Sequence, residues 1–461
     1  MKSDCDVLVI GAGISGLTAA FALQESGLQV EVIDGADRAG GVIGTQFEAG
    51  YLYERGPNSI LDTSPLINRL LERLGILDQR IDMNQRASRR YVLKRGRLVA
   101  LPMSPPAFIV SPLFSPAAKL RLLREPFIQR ARGDVEESVS DFVKRRLGSA
   151  FLDHAIEPFV AGIYAGNPDE LSVRAAFPRL HALEQRYGSL LKGQLSGARE
   201  RKAHAEQSKH IARSFSFANG MQTLTDALAA ALPVQTARRA AGLRACDGGG
   251  IEIDTQSRET NLRIRARAVI LAVPADAAAA LVCSFAPEAA IGLNEIPYAP
   301  VASVARGYRR SQVGHALDGF GFLAPRIEKR RILGCLFSSS TFGNRAPSDS
   351  VLLTTFMGGR RDPALASAPG PAIEQIVSEE LATLIGARGE PQLSAVTQWV
   401  RAIPQYTLGH LERVRRATQA EGALPGLFLC ASWRGGVAVG DCIRSAHETA
   451  DRITAFLHAP A

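Results

Sequence analysis

Six residues near the start of the chain, Gly11-Ala12-Gly13-Ile14-Ser15-Gly16, have the G-x-G-x-x-G spacing of a phosphate-binding turn. Their chemistry is binding rather than bond-breaking. Gly11 permits a tight turn, Gly13 lets backbone approach a pyrophosphate, and Gly16 lets a helix pack closely on a strand. The free N–H groups and positive dipole end of the helix that follows then face the phosphates, with Ile14 and Ser15 in the turn beside them. Downstream, Asp34 stands where a carboxylate accepts from a ribose hydroxyl and its charge repels a 2′-phosphate. Glycines alone also mark ordinary strand–helix turns, so the flanking elements must decide.

Those elements fit. Residues 5–10 are apolar and β-branched, as a strand buried in a parallel sheet should be. Residues 17–23 have helical spacing, Gly27 ends the helix, and residues 29–33 form a second strand that delivers Asp34. After Asp34 come Gly35, Arg38, Gly40 and Gly41, giving D-x-x-x-R-x-G-G. This resembles the extended fingerprint of FAD-containing, amine-oxidase-like flavoproteins. The resemblance implies that Arg38 and the paired glycines run along the pyrophosphate and ribityl chain. That family usually carries Glu where this chain has Asp34. No His or Cys stands in a flavin-linkage motif, so the FAD is expected to be non-covalent.

The chain has 461 residues, more than one compact core holds, which predicts two or three domains. Apolar residues make up 46% and charged residues 21%, the balance of a globular protein. Lys and Arg exceed Asp and Glu by 54 − 45 = 9, favouring anionic ligands or an anionic membrane surface. No nucleic-acid recognition motif accompanies that charge. The six cysteines are scattered without C-x-x-C and read as reduced thiols of a cytosolic protein; the eight histidines show no metal-ligand spacing. No signal peptide is read, and no apolar run approaches the roughly 20 residues of a spanning helix, so any membrane contact is peripheral.

Further along, Ser64-Pro65 and Ser115-Pro116 read as cap-plus-proline helix starts. Residues 89–93 and 98–101 form a strand pair. The proline-rich, apolar stretch 102–116 reads as a loop at a domain boundary. Residues 115–213 read as mostly helical, with Leu120, Leu123 and Phe127 making an apolar stripe among Lys119, Arg121, Arg124 and Arg130. Beside the apolar loop, this basic amphipathic segment predicts that residues 105–132 dock on an anionic bilayer, although a solvated surface helix has the same pattern. Arg199 to Arg213 is a second basic stretch, a solvated helix or connection. Residues 268–273 form a buried strand that returns to the nucleotide domain, residues 297–360 an antiparallel sheet, and residues 443–456 the last helix.

Several separated segments then agree: PNSI at 57–60, RRYV at 89–92, EPFVAGIYAGNPDELS at 157–172, FANGMQTL at 217–224, GFGFL at 319–323, LFSS at 336–339, AIPQYTLGH at 402–410 and RGGVAVGDCI at 434–443. Together they resemble the protoporphyrinogen oxidase family. The resemblance implies a combined α/β and α+β fold. A discontinuous Rossmann-like FAD-binding domain takes residues 1–85, 214–292 and 409–461. An antiparallel-sheet substrate domain takes 86–101 and 293–408, and a helical membrane-docking domain takes 102–213. It implies that Arg90 pairs with a substrate propionate and that Phe337, Leu323 and Phe320 sandwich the macrocycle. Asn58 lies near flavin and substrate, and Gly162 and Gly166 bring loop backbone close to the ring. Gly56, Pro57, Asn58, Ala272, Val273, Trp433, Val437, Ala438 and Val439 complete the implied FAD set. The implied reaction is a six-electron oxidation of protoporphyrinogen IX in haem biosynthesis, with O₂ reduced to H₂O₂, by a cytoplasmic enzyme held peripherally on the inner face of the cytoplasmic membrane. No acid–base pair stands out, which suits a reaction whose hard chemistry is the cofactor's.

Coproporphyrinogen III, with four propionates, is the alternative substrate; it calls for further cations in the slot. A flavin amine oxidase, a desaturase and a non-catalytic FAD protein share the nucleotide motifs. Monomer and homodimer are equally compatible with the sequence.

Overall fold

The computed structural model describes residues 4–131, 135–193, 213–258 and 260–459. Residues 199–212 of the second basic stretch lie outside them.

The first strand, Cys5–Ile10, is the centre of a seven-stranded sheet. It pairs in parallel with Val30–Ile33 on one side and with Asn261–Leu271 on the other. The strand Asn261–Leu271 is longer than residues 268–273 suggested, for a physical reason. Its first half alternates polar and apolar residues and pairs antiparallel with Ile251–Gln256, where Arg263 and Arg265 meet Glu252 and Asp254. Its last residues, Ala268 to Leu271, are all buried; Val269 to Leu271 pair in parallel with Leu427–Leu429. The change in pattern marks the change from a half-solvated to a fully covered strand. One sheet thus collects strands from three distant parts of the chain. The helices Ile14–Glu25 and Val439–His458 pack against each other on one face.

A second sheet of seven strands runs in the order Leu393–Pro404, Tyr298–Arg309, Ser350–Gly358, Ile332–Leu336, Gly319–Leu323, Arg89–Lys94, Arg97–Ala100. All its pairings are antiparallel but one. Gly319–Leu323 and Arg89–Lys94 run parallel, which corrects the purely antiparallel expectation. More than two hundred residues separate these strands, ample for the crossover that a parallel pair requires.

Helices fill much of residues 105–187. The stretch read as an apolar loop contains a helix, Pro105–Val110, capped by the Ser104 hydroxyl, which accepts the Ala107 N–H. Ser115 caps Pro116–Leu123 in the same way. Two of the cations expected to face lipid are engaged in holding this fold. Lys119 donates to the carbonyls of Ile109 and Ser111, and Arg121 to those of Arg145 and Arg146. Below them the fully buried Arg146 pairs with Glu125 and Glu184. No helix among the described residues is long and apolar enough to cross a membrane.

Candidate functional site

The glycine turn shows why each glycine is there. Gly11 has φ of +111°, and a Cβ on it would lie 2.5 Å from the Ala272 carbonyl oxygen. A Cβ on Gly16 would lie 1.9 Å from the Gly11 oxygen. Both are required by the protein's own packing. A Cβ on Gly13, by contrast, would meet nothing within 4 Å, and Gly13 is the N-cap of a 12-residue helix that no side chain caps. Open space above unsatisfied N–H groups at a positive helix end is what a pyrophosphate requires. Gly41 borders the same space, its would-be Cβ 3.2 Å from the Gly13 Cα. The residues present therefore fit a dinucleotide.

Asp34 closes the second strand as expected, and it organises both turns. One oxygen accepts the Ala12 N–H at 2.7 Å and the other the Ala36 N–H at 2.8 Å. Gly35 packs on Arg239. Arg38 folds the loop: its guanidinium donates to the carbonyls of Ala39, Gly41 and Ile43, while the Gly40 N–H donates to Ala12. A Cβ on Gly56 would meet the Val42 oxygen at 2.1 Å, which fixes the start of Gly56-Pro57-Asn58 against this loop. At the far end of the chain, buried Trp433 donates to the Val273 carbonyl at 3.1 Å, beside Ala272 and above Gly11. Ala438 is the N-cap of the last helix, again with no side-chain cap, and Val437 and Val439 flank it. Tyr406 fastens this corner, donating to the Ser432 carbonyl and accepting the Gly436 N–H.

On the second sheet a cavity of about 350 Å³, open mouth included, is lined by Asn58, Phe320, Leu336, Glu54, Arg345 and Thr354 among others. Strand register decides which side chains share this face. Gly321 pairs with both Leu336 and Arg90, and Leu323 pairs with Gly334, so Arg90, Leu323 and Leu336 stand on one face; Leu336 lines the cavity, and Arg90 and Leu323 extend the face beyond its lining. Phe322 and Tyr91 point the other way, into the core. Phe320 would follow Phe322, but the register is irregular between Gly319 and Gly321, and Gly321 has φ of +146°. This bulge turns Phe320 into the cavity.

The Arg90 guanidinium lies 5.8 Å from the Phe320 ring centre. It has no hydrogen bond or ion pair among the described residues, and burial lowers its pKa. Its neighbour Arg89, exposed, is paired with Asp318. Gly162, on the helix Glu157–Tyr164, faces Leu323, whose methyl would be 3.1 Å from an added Cβ. Gly166 instead packs against Gln405, Leu171 and Tyr164, away from the cavity lining.

Phe337 is not on this wall. It is 0% exposed and packs in the core with Phe322 and His315. The alternation of the strand Ile332–Leu336 gives the wall to Leu336 and the core to the next residue. Two charged residues of the cavity had no role in the sequence reading. Glu54 is pushed up to about 7 by burial, and the buried Arg345 is 3.7 Å away. A carboxylate ending the apolar strand Tyr51–Glu54 was a signal for the first; nothing local marks the second.

Comparison with known proteins agrees with a dinucleotide-binding fold. Residues 14–454 match the model of the flavin containing amine oxidoreductases. The mitochondrial protoporphyrinogen oxidase of Nicotiana tabacum is 33% identical over 98% of this chain and 95% of its own. The coproporphyrinogen III oxidase of Propionibacterium freudenreichii subsp. freudenreichii is 31% identical over 98% of this chain and 91% of its own. A crystal structure from Exiguobacterium sp. 255-15 has the same fold, with a TM-score of 0.81, 23% identity and full coverage of both chains. The chain belongs to the flavin containing amine oxidoreductase family and is an FAD-dependent oxidoreductase.

Proposed function

We propose that this enzyme oxidises a porphyrinogen to the porphyrin in haem biosynthesis, taking protoporphyrinogen IX to protoporphyrin IX with O₂ as acceptor and H₂O₂ as by-product. The observation that carries the reading is Arg90, a desolvated cation without a counter-charge among the described residues, standing on one face with Phe320, Leu323 and Leu336. An apolar tetrapyrrole bearing carboxylates complements both features: its ring covers the apolar wall, and a propionate offers the planar, bidentate partner a guanidinium prefers. The names of the relatives support the same substrate class. FAD, when bound, supplies the two-electron chemistry that no side chain here can. The protein's own part is to orient the ring, exclude water and hold the charged edge.

Protoporphyrinogen has two propionates and coproporphyrinogen four. Arg345 lines the cavity and already donates to Ser216, Phe217 and Asn344, whereas Arg90, on the same sheet face beyond that lining, has no partner among the described residues. That leaves Arg90, and favours the less charged substrate. Purified enzyme in air with each porphyrinogen tests this: porphyrin fluorescence and H₂O₂ should appear together, faster with protoporphyrinogen IX, and H₂O₂ without porphyrin would refute it.

The reading includes peripheral attachment to the inner face of the cytoplasmic membrane. Ile109, Val110, Leu120, Leu123 and Phe127 are exposed on neighbouring helices, Phe127 by 86%. Arg124 and Arg130 are exposed beside them without side-chain partners among the described residues, and so are free to meet lipid phosphates. We retain as a proposal the division into cofactor segments 1–85, 214–292 and 409–461, substrate segments 86–101 and 293–408, and a helical segment 102–213. The membership of the two large sheets supports it.

A further inference from the structure

Behind Asn58 and Phe320 the cavity meets a buried carboxylate, Glu54. One of its oxygens accepts the Met221 N–H at 2.9 Å, and the other the Thr45 hydroxyl at 2.6 Å. Arg345 stands 3.7 Å from it, beyond hydrogen-bond length, with its donors directed to Ser216, Phe217 and Asn344. No other carboxylate and no histidine lines the cavity among the described residues. Thr45 is half-buried and opens the strand Thr45–Glu48, whose remaining residues are exposed. The Thr45 hydroxyl also accepts the Gln222 N–H at 3.1 Å, so it is held in place as a donor to Glu54.

We infer that Glu54 accepts the proton released from the substrate in each oxidation round and that the hydrogen bond from Thr45 tunes its readiness to do so. The inference rests on the porphyrinogen reading above. The bookkeeping of the step is closed. A meso C–H bond breaks and its hydrogen leaves with the electron pair, as a hydride, to the oxidant that bound FAD supplies. A pyrrole N–H bond breaks and an O–H bond forms on Glu54, so the substrate loses two electrons and two hydrogens and gains a conjugated C=C–C=N unit. Protonated Glu54 then gives its proton to water at the open mouth of the cavity it lines. Glu54 returns to the carboxylate for the next round.

The electrostatics are compatible with repeated use. Burial raises the Glu54 pKa to about 7, against the opposing effects of Thr45, Met221 and Arg345, so both forms are accessible near neutrality. The other charged groups around it are engaged elsewhere. Glu48, on the paired strand, takes the Tyr53 hydroxyl. Asp226, on the helix Gln222–Ala230, accepts from Gln222. Arg55, next in the chain, lies over the Trp399 ring. Only Arg345 comes within ion-pair distance of Glu54 among the described residues.

The test is anaerobic stopped-flow reduction of the FAD-loaded enzyme by protoporphyrinogen IX across a range of pH. In the wild type the rate should rise with pH through an ionisation near 7, because only the carboxylate accepts a proton. Glu54→Gln should be slower by roughly 100-fold and flat with pH. Thr45→Val removes a hydrogen bond that favours the carboxylate, and should move the ionisation to higher pH. A Glu54→Gln enzyme with the wild-type rate and profile would overturn the inference. Should that variant not load FAD, an unmoved ionisation in Thr45→Val would overturn it. Wild-type enzyme that no porphyrinogen reduces would instead refute the underlying reading, and the role of Glu54 with it.

Discussion

Arg90 stands 5.8 Å from the centre of the Phe320 ring, on the cavity side of a parallel strand junction. The contact depends on a bulge at Gly321 that turns Phe320 away from the core. Cation, ring and apolar wall are thus set by register across two strands that are remote in sequence.

If Arg90 holds a propionate, its loss should cost roughly 1.5–3 kcal/mol of substrate binding. Arg90→Ala should raise KM about 10- to 100-fold with a smaller fall in kcat. Arg90→Lys should recover only part, since an ammonium lacks the planar fork. Steady-state kinetics on both variants check this, and an unchanged KM in Arg90→Ala would remove Arg90 from the site.

Leu336 and Phe337 should separate cleanly. Phe337→Ala empties a core position and should lower stability by about 3–5 kcal/mol, read as a fall in Tm, with KM little changed in the folded enzyme. Leu336→Ala should leave Tm nearer the wild type and raise KM, because it shortens the cavity wall. The reverse assignment of effects would restore Phe337 to the wall.

Gly13 and Gly16 should fail in different ways. Gly13→Val has room in the protein alone and should fold yet purify without flavin colour, its side chain filling the phosphate space. Gly16→Ala drives a Cβ into the Gly11 carbonyl and should destabilise the turn itself. Visible absorbance and thermal melting distinguish the two. Full FAD occupancy in Gly13→Val would show that this turn does not hold the cofactor.

For the membrane, the informative changes are in the exposed apolar residues, since Lys119 and Arg121 hold backbone carbonyls. Val110→Asp with Phe127→Asp should abolish co-sedimentation with anionic liposomes while leaving FAD bound. Sedimentation equal to wild type would point to an ordinary solvated surface.

The nucleotide turn was legible because its constraints are local. Gly11 and Gly16 answer to clashes within the turn and with one neighbouring strand, and Asp34 is positioned by the strand that carries it. The serine caps at Ser64 and Ser115 were legible for the same reason. The cavity was not. Leu336 and Phe337 are both large and apolar, so alternation offers no contrast to show which faces the core. The parallel junction of Arg89–Lys94 with Gly319–Leu323, and the approach of Arg345 to Glu54, join residues hundreds of positions apart and leave no local periodicity. Lys119 and Arg121 read as cations free to face lipid because a carbonyl partner has no signature in sequence.

The central claim is that a porphyrinogen is the electron donor. Anaerobic mixing of the FAD-loaded enzyme with protoporphyrinogen IX, coproporphyrinogen III and a simple primary amine, followed by visible flavin absorbance, addresses it directly. The account predicts rapid bleaching by protoporphyrinogen IX, slower bleaching by coproporphyrinogen III, and none by the amine. Bleaching by the amine with neither tetrapyrrole active would contradict it.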